Sequence, residues 1–398
     1  MRKRICVFTG ARSEYGLLKP LIREIAKDSS LKLQLAVSGM HLCAEFGLTY
    51  REIEKDGYRI DEKVDMRLDS DSPAGIARSM GTGIAGMAGA YGRLRPDMLV
   101  VLGDRFEAFS AAAAAMLARI PISHINGGEA TYGLVDEAIR HAITKMSHLH
   151  FTSTEDYRRR VIQLGEDPGR VFCAGALGLD NIRLMKPMSK EEFQRSAGLK
   201  LDKRSLLVTF HPVTLEGNAS EGQFGKLLKA LDTLRDTSLL FTKANADMFG
   251  RVINSMIDRY VARNGGKARA YASMGTFRYL SAMQYFDAVV GNSSSGIIEA
   301  PSFRIGTVNI GMRQAGRIAA KSVISCAPEE ASIRAAIRKV YSAEFRRTLR
   351  SVINPYGDGN AAKRIVRVLR EAKLEGILIK RFRDIPLGCC IKRKQGKE

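Results

Sequence analysis

Met98-Leu-Val-Val-Leu-Gly-Asp-Arg105, the alanine-rich run Phe106 to Arg119, and Ile120-Pro-Ile-Ser-His-Ile-Asn-Gly-Gly-Glu129 read as strand, helix and strand. Both apolar runs stop on polar groups, the first on Asp104 and Arg105, the second on Asn126, two glycines and Glu129. A βαβ crossover sets two such strands side by side and parallel, so their C-terminal ends share one edge of the sheet. Open α/β sheets bind ligands at that edge. Acid, cation, imidazole and flexible backbone converge there, which packing alone does not require.

The alternation continues outward in both directions. Upstream, Arg4 to Thr9 is a buried strand, Gly10 to Gly16 a loop opening a helix from Leu17 to Lys27, and Leu31 to Ser38 a second strand. Pro73 to Leu94 is helical, with glycines thinning one face for close packing. Downstream come a helix from Asp136 to Lys145 and strands at His148 to Thr152 and Val171 to Gly175. Met185 to Arg204, with Pro187, Ser189 and mixed charge, reads as a connector. New strands follow at Leu206 to Phe210, Ser238 to Thr242, Ala288 to Gly291 and Thr307 to Ile310. Strands alternating with helices twice over predict an α/β protein of two Rossmann-like, doubly wound domains facing a cleft. The expected division is residues 1–185 with the catalytic strand ends, 186–370 for nucleotide binding, and 371–398 as a basic, solvated extension.

Bulk properties narrow the function. A chain of 398 residues exceeds one ordinary core. Its net charge of +21 fits either a polyanion or an anionic small substrate. The basic residues are spread out, clustering densely only at Lys380 to Arg383 and Lys392 to Lys394, and no nucleic-acid-binding module is recognisable. The small anionic substrate is the better reading, with no nucleic-acid partner. No run of eighteen apolar residues exists, so no membrane helix is expected. The apolar stretch after Met1-Arg-Lys-Arg4 ends by Arg12, too short for a signal sequence, so a cytoplasmic protein is expected. Six scattered cysteines without a C-x-x-C spacing read as reduced thiols, not a disulfide frame or zinc site.

Several residues carry candidate chemistry. Gly291-Asn-Ser-Ser-Ser-Gly296 has P-loop glycine spacing, but Ile297-Ile298 replace the Lys-Ser/Thr of a Walker motif. It still offers hydroxyls and amide N–H groups at the start of a helix, Ile297 to Ala300, suited to phosphate oxygens. Glu299 on the first turn could accept from sugar or ribose hydroxyls, or simply complement the helix dipole. Arg12, Arg105 and Arg313 stand at strand ends, where guanidinium groups chelate a diphosphate. Gly10 to Gly16 lacks the G-x-G-x-x-G order, which argues against a dinucleotide site. His211, directly after a strand and fixed by Pro212, belongs to the rim of the second domain. His124 reads as a core residue, and His148 and His150 alternate on a strand without carboxylates at metal-ligand spacing. Asp136 is either a catalytic carboxylate or a helix N-terminal charge.

The phrases Gly103-Asp-Arg-Phe-Glu107, His124-Ile-Asn-Gly-Gly-Glu129, Ile139-Arg-His-Ala-Ile-Thr-Lys145, His211-Pro-Val-Thr214, Gly291 to Gly296 and Gly311-Met-Arg-Gln-Ala-Gly-Arg317 together resemble the UDP-N-acetylglucosamine 2-epimerase family. The likeness is to the hydrolysing branch used in sialic and nonulosonic acid synthesis, and runs from about residue 4 to about 370. It implies a glycosyltransferase-B-like pair of domains with the nucleotide sugar between them. Such an enzyme removes H2 of the sugar while the C1–O bond to the nucleoside diphosphate breaks. Water then adds to a 2-acetamidoglycal, releasing the free 2-epimer, N-acetylmannosamine in the commonest case. No metal or redox cofactor is implied, and a homodimer is.

By motif, the resemblance makes Asp104 and Asp136 acid/base carboxylates and His211 a further catalytic group. Arg12, Ser13, Arg105, Ser293, Ser294, Glu299 and Arg313 fall on nucleotide-contacting positions, and Asn245 and Asp247 on a sugar-nucleotide loop. One position departs: some family members carry a catalytic glutamate where this chain has Asn126. Either Glu129 or His211 assumes its role, or the sugar differs from N-acetylglucosamine, or activity is impaired. The competing readings are a non-hydrolysing epimerase, a glycosyltransferase on the same fold, and a non-catalytic sugar-nucleotide-binding protein.

Overall fold

The computed structural model describes residues 2–70, 72–132, 135–212, 219–244, 250–272 and 274–384. Seven strands form the first sheet: β1 Lys3–Thr9, β2 Leu31–Ser38, β3 Glu62–Val64, β4 Met98–Leu102, β5 Ile122–Ile125, β6 Leu149–Thr152 and β7 Val171–Cys173. Six form the second: β8 Arg204–Thr209, β9 Thr237–Thr242, β10 Ala268–Tyr271, β11 Ala288–Gly291, β12 Gly306–Ile310 and β13 Val323–Cys326. Their orders are β3-β2-β1-β4-β5-β6-β7 and β10-β9-β8-β11-β12-β13. All pairs in both sheets are parallel.

Parallel sheets of this kind are buried on both faces, and the side chains divide by the strand period of two. Ile5 and Val7 of β1 join the core on one face; Cys6 and Phe8 join the core on the other. In the second sheet Leu206 and Val208 face one core, Leu207 the opposite one. Strand order reverses between β1 and β4 and again between β8 and β11, leaving one crevice at the strand ends of each half. The expected β4–helix–β5 unit is present, with Val100 opposite Ser123 and Leu102 opposite Ile125.

Three features depart from the sequence reading. The connector is not a bare linker: Lys190–Ala197 is a helix whose Phe193 and Ala197 pack with Leu207 and Leu240 of the second half. Its start is a capping box, in which Ser189 accepts from Glu192 N–H while Glu192 accepts from Ser189 N–H.

The final helix, Ala361–Glu371, falls in the expected second half but returns to the first. Ile365, Val366 and Leu369 share a core with Ile5 and Val7. First-half side chains satisfy both of its ends. Asp180 accepts from the N–H groups of Ala361 (3.0 Å) and Ala362 (2.9 Å), and Lys3 Nζ donates to the carbonyls of Leu369 (2.7 Å), Arg370 (3.0 Å) and Ala372 (2.8 Å). An acid at the N-terminus and a cation at the C-terminus answer the orphaned backbone groups and the dipole.

The start of the basic extension is docked, not solvated. Arg170 donates to Ile377 O (2.9 Å), and Arg383 N–H donates to Gly165 O (3.0 Å). Lys380 donates to Ser147 O (2.6 Å) and pairs with the buried Glu166 (2.7 Å). Burial would raise the Glu166 carboxyl, but hydrogen bonds from His150, Lys145 and Lys380 outweigh it and hold the pKa down at about 2. Cys389 and Cys390 lie outside the described residues. No helix among the described residues is long and apolar enough to cross a membrane.

Candidate active site

The first crevice is acidic and organised around one buried cation. Arg140, in the helix Asp136–Met146, is 1% exposed. Its guanidinium donates to Asp104 in the turn after β4, to Thr131 Oγ1 (2.6 Å), to Glu137 Oε2 (2.5 Å) and to the main-chain carbonyl of Glu129 (2.9 Å). Arginine suits this post because its planar fork serves several acceptors at once. The sequence alone assigns Arg140 no role; its position one turn after Asp136 is the signal that points to it.

Asp136 opens that helix beside Asp104. Burial raises its pKa, and the Asp104 charge raises it further. Two neighbouring carboxyl groups thus differ in environment: Asp104 is held by Arg140, while Asp136 is pushed toward its protonated form.

Asn126, directly after β5, adopts a left-handed backbone (φ +67°), and its N–H donates to Phe151 O (2.9 Å). Asparagine tolerates this conformation better than other residues with a Cβ. Its Oδ1 is buried with no partner among the described residues. His124 is a core residue as expected: its Nε2 lies 2.8 Å from Gly103 O, and burial brings its pKa down to about 3, so the ring is neutral and donates there.

The loop after β1 differs from expectation. Its helix begins at Arg12 rather than Leu17, so Arg12 and Ser13 occupy the first turn and are exposed; Arg12 lies 3.8 Å from Glu52. Glu14, which sequence reasoning missed, takes the buried place, accepting from Gly10 N–H (2.6 Å). Burial, reinforced by the nearby Glu107 charge, pushes its pKa up to about 8. Arg105 is engaged by Glu107, donating through Nε (3.1 Å) and Nη2 (3.0 Å), so those two nitrogens are already committed.

The second crevice is built from amides, hydroxyls and an imidazole. Asn292, after β11, accepts from His211 N–H and donates to His211 O, both at 2.7 Å, and so fixes the chain leaving β8. A Cβ at Gly291 (φ +135°) would run into the Thr209 carbonyl, so only glycine lets β8 and β11 approach here. Arg313 Nη1 (3.0 Å) and Gln314 Nε2 (2.8 Å) both donate to Asn292 O, drawing the loop after β12 onto the same spot. Burial and the Arg313 charge bring His211 down to about 3, leaving a neutral imidazole. Its Nδ1 is buried without a partner among the described residues.

The helix after Gly291 spans Ser294–Ile298, with Ser293 accepting from Ser295 N–H as its cap (3.3 Å). Glu299 therefore sits at the C-terminal end, not on the first turn, and the helix-dipole explanation for it fails. Burial pushes its pKa up to about 7. Asn245 and Asp247 fall outside the described residues.

The two crevices meet. Glu129 accepts from Ser153 (3.0 Å) and pairs with Arg317 of the second half (3.2 Å). Tyr157 Oη accepts from Ile318 N–H (3.2 Å), and Tyr356 Oη donates to Ile318 O (3.0 Å). On the opposite side Arg251 reaches Glu45 (3.4 Å). Asp104, His211, Ser293 and Arg313 follow the C-terminal ends of β4, β8, β11 and β12, and Asp136 opens the helix between β5 and β6. Among the described residues no three His, Cys, Asp or Glu side chains converge as a metal site would require.

Known proteins share this architecture. The model of the UDP-N-acetylglucosamine 2-epimerase family matches residues 23–370. The chain is 41% identical to GDP/UDP-N,N'-diacetylbacillosamine 2-epimerase (hydrolyzing) of Campylobacter jejuni, covering 96% of this chain and 100% of that protein. It is 38% identical to polysialic acid biosynthesis protein P7 of Escherichia coli, covering 96% and 98% respectively. The solved structure of UDP-GlcNAc 2-epimerase from Neisseria meningitidis bound to UDP-GlcNAc superposes with a TM-score of 0.79. At 19% identity over 93% of this chain and 100% of that one, it shows the shared two-domain fold.

Proposed function

Because the chain belongs to the UDP-N-acetylglucosamine 2-epimerase family, we propose that it is a hydrolysing 2-epimerase of a nucleotide-diphospho-N-acetylhexosamine. The sugar is of the N,N'-diacetylbacillosamine type carried on UDP or GDP, or UDP-N-acetylglucosamine itself, and the product feeds sialic or nonulosonic acid synthesis. What supports this reading is the Asp104–Arg140–Asp136 arrangement at the strand ends of one half and the His211–Asn292–Arg313 cluster at those of the other, the halves being joined nearby by the Arg317–Glu129 pair.

Asp136 removes the proton from C2, since its raised pKa makes it a stronger base than an ordinary aspartate. Asp104, fixed by Arg140, supplies the second carboxylate for proton handling at the sugar. The electron pair released at C2 forms the C1–C2 double bond as the C1–O bond breaks, and the diphosphate departs with its negative charge. Arg313, Ser293 and Ser294 offer donors to that leaving group, and Glu299 accepts from ribose hydroxyls. Water adds at C1 and a proton returns to C2 from the opposite face. His211 acts as a neutral hydrogen-bonding imidazole beside the departing oxygen. The likeness to the diacetylbacillosamine enzyme supports a changed sugar over impairment as the meaning of Asn126. A cytoplasmic homodimer needing no redox partner completes the reading.

Incubation with UDP- and GDP-linked N-acetylhexosamines, followed by NMR of the products, tests it. Free 2-epimeric sugar and nucleoside diphosphate should accumulate in equal amounts. Recovery of only an epimerised nucleotide sugar would assign the non-hydrolysing reaction instead.

A further inference from the structure

The loop after β12 reaches from the second half onto the first at three consecutive residues. Gly316 is in the left-handed region (φ +84°), and a Cβ there would lie 2.6 Å from the Tyr132 ring and 2.9 Å from Ala130 Cβ. Ile318 is held at both main-chain groups by Tyr157 and Tyr356. Between them, Arg317 places Nη2 3.2 Å from Glu129 Oε2.

The place of Glu129 makes this ion pair consequential. Both side chains are nearly buried, at 11% exposure for Arg317 and 6% for Glu129. A carboxylate so placed is tolerated because a cation stands opposite, and removal of one partner strands the other. The Glu129 carbonyl is itself an acceptor for Arg140 Nη1, and Arg140 holds Asp104. A continuous chain therefore runs from Arg317 through Glu129 and Arg140 to a carboxylate of the reaction. The Nε and Nη1 atoms of Arg317 are buried without partners among the described residues, so Glu129 is what the guanidinium grips.

We propose that Arg317 is a positioning residue: by pairing with Glu129 when the halves meet, it sets the Arg140–Asp104 pair in working geometry. The inference rests on the 2-epimerase reading. It makes catalytic competence in the first half conditional on the second half being docked. Without Arg317, Glu129 turns from Ser153, its carbonyl shifts, and Arg140 loses an acceptor that orients it toward Asp104.

Steady-state kinetics on the wild type, Arg317→Gln, Glu129→Gln and the double variant test this, with amide hydrogen exchange at residues 129–131 followed in each. Arg317→Gln should lower kcat at least ~10-fold with KM within about twofold, the pattern of lost transition-state positioning. The double variant should be no slower than the slower single variant, because both changes break one link. Exchange at residues 129–131 should rise in Arg317→Gln. A kcat within about twofold of wild type, a change in KM alone, or additive losses would each overturn the proposal. If Arg317→Gln fails to fold by circular dichroism, Arg317→Met, which removes the charge and keeps the apolar stem, carries the same test, and wild-type kcat there would overturn it. A wild type inert on every nucleotide sugar sinks the functional reading instead; exchange in Arg317→Gln then decides the positional claim, unchanged values refuting it.

Discussion

The two halves share a winding order yet carry opposite chemistry at their strand ends. The first crevice gathers Asp104, Glu137 and the Glu129 carbonyl around the buried Arg140 guanidinium, with Asp136 beside them. The second collects an imidazole, an amide clamp, serine hydroxyls and Arg313, with Glu299 driven toward its neutral form. Under the proposed function, one half moves protons and the other receives the anionic leaving group. The scaffold does not choose between these tasks; the few residues after each strand do.

The largest expected effects fall on the proton side. Asp104→Asn and Asp136→Asn should each lower kcat at least ~10²-fold, the scale of lost acid/base catalysis, while titration calorimetry shows nucleoside diphosphate still bound with near wild-type affinity. Loss of nucleotide affinity in either variant would break the division between the halves. His211→Ala should cost a similar ~10²-fold in kcat, the scale of losing one hydrogen-bond donor to a developing charge, marking a place where the second half enters the chemistry.

Arg313→Met should act oppositely, weakening nucleoside diphosphate binding about tenfold or more, as expected for losing charge-assisted hydrogen bonds. The pH profile sharpens the same contrast. A base must be ionised to act, so a raised Asp136 pKa moves the acidic limb of kcat/KM above the ordinary aspartate range. His211, neutral down to about pH 3, should contribute nothing to that limb. A His211→Gln profile with a displaced acidic limb would contradict this.

The smallest effect concerns Asn126. Glutamate in a left-handed conformation costs about 1 kcal/mol more than a residue suited to it. Asn126→Glu should therefore lower stability to denaturant by roughly that amount. A gain of turnover on UDP-N-acetylglucosamine in this variant would favour impairment over a changed sugar.

What was legible in the sequence follows the physics of burial. Strands covered on both faces are largely apolar runs, so β1, β4 and β11 are readable almost to the residue, and β2 is readable despite Lys32 and Gln34. The sheet edges were not: Glu62-Lys-Val64 and Ala268-Arg-Ala-Tyr271 are short and partly exposed, and look like loops. The return of the last helix depends on Lys3 and Asp180, far away in sequence. Asp104, Asp136 and His211 announced themselves because each follows an apolar run or opens a helix. Glu14, Arg140 and Arg317 did not, since a buried charge is recognisable only by the partner it meets in space. Asn126 carried a chemical signal in the sequence, but its backbone reason is visible only as a dihedral angle.

The most direct measurement of the central claim is turnover of the nucleotide sugar in deuterated water, read by NMR at C2 of the released sugar. Wild-type enzyme should deliver product carrying deuterium at C2, and Asp136→Asn should deliver almost none while still binding the nucleoside diphosphate. Product that keeps its original hydrogen at C2, or undiminished deuterium incorporation in Asp136→Asn, would contradict the account.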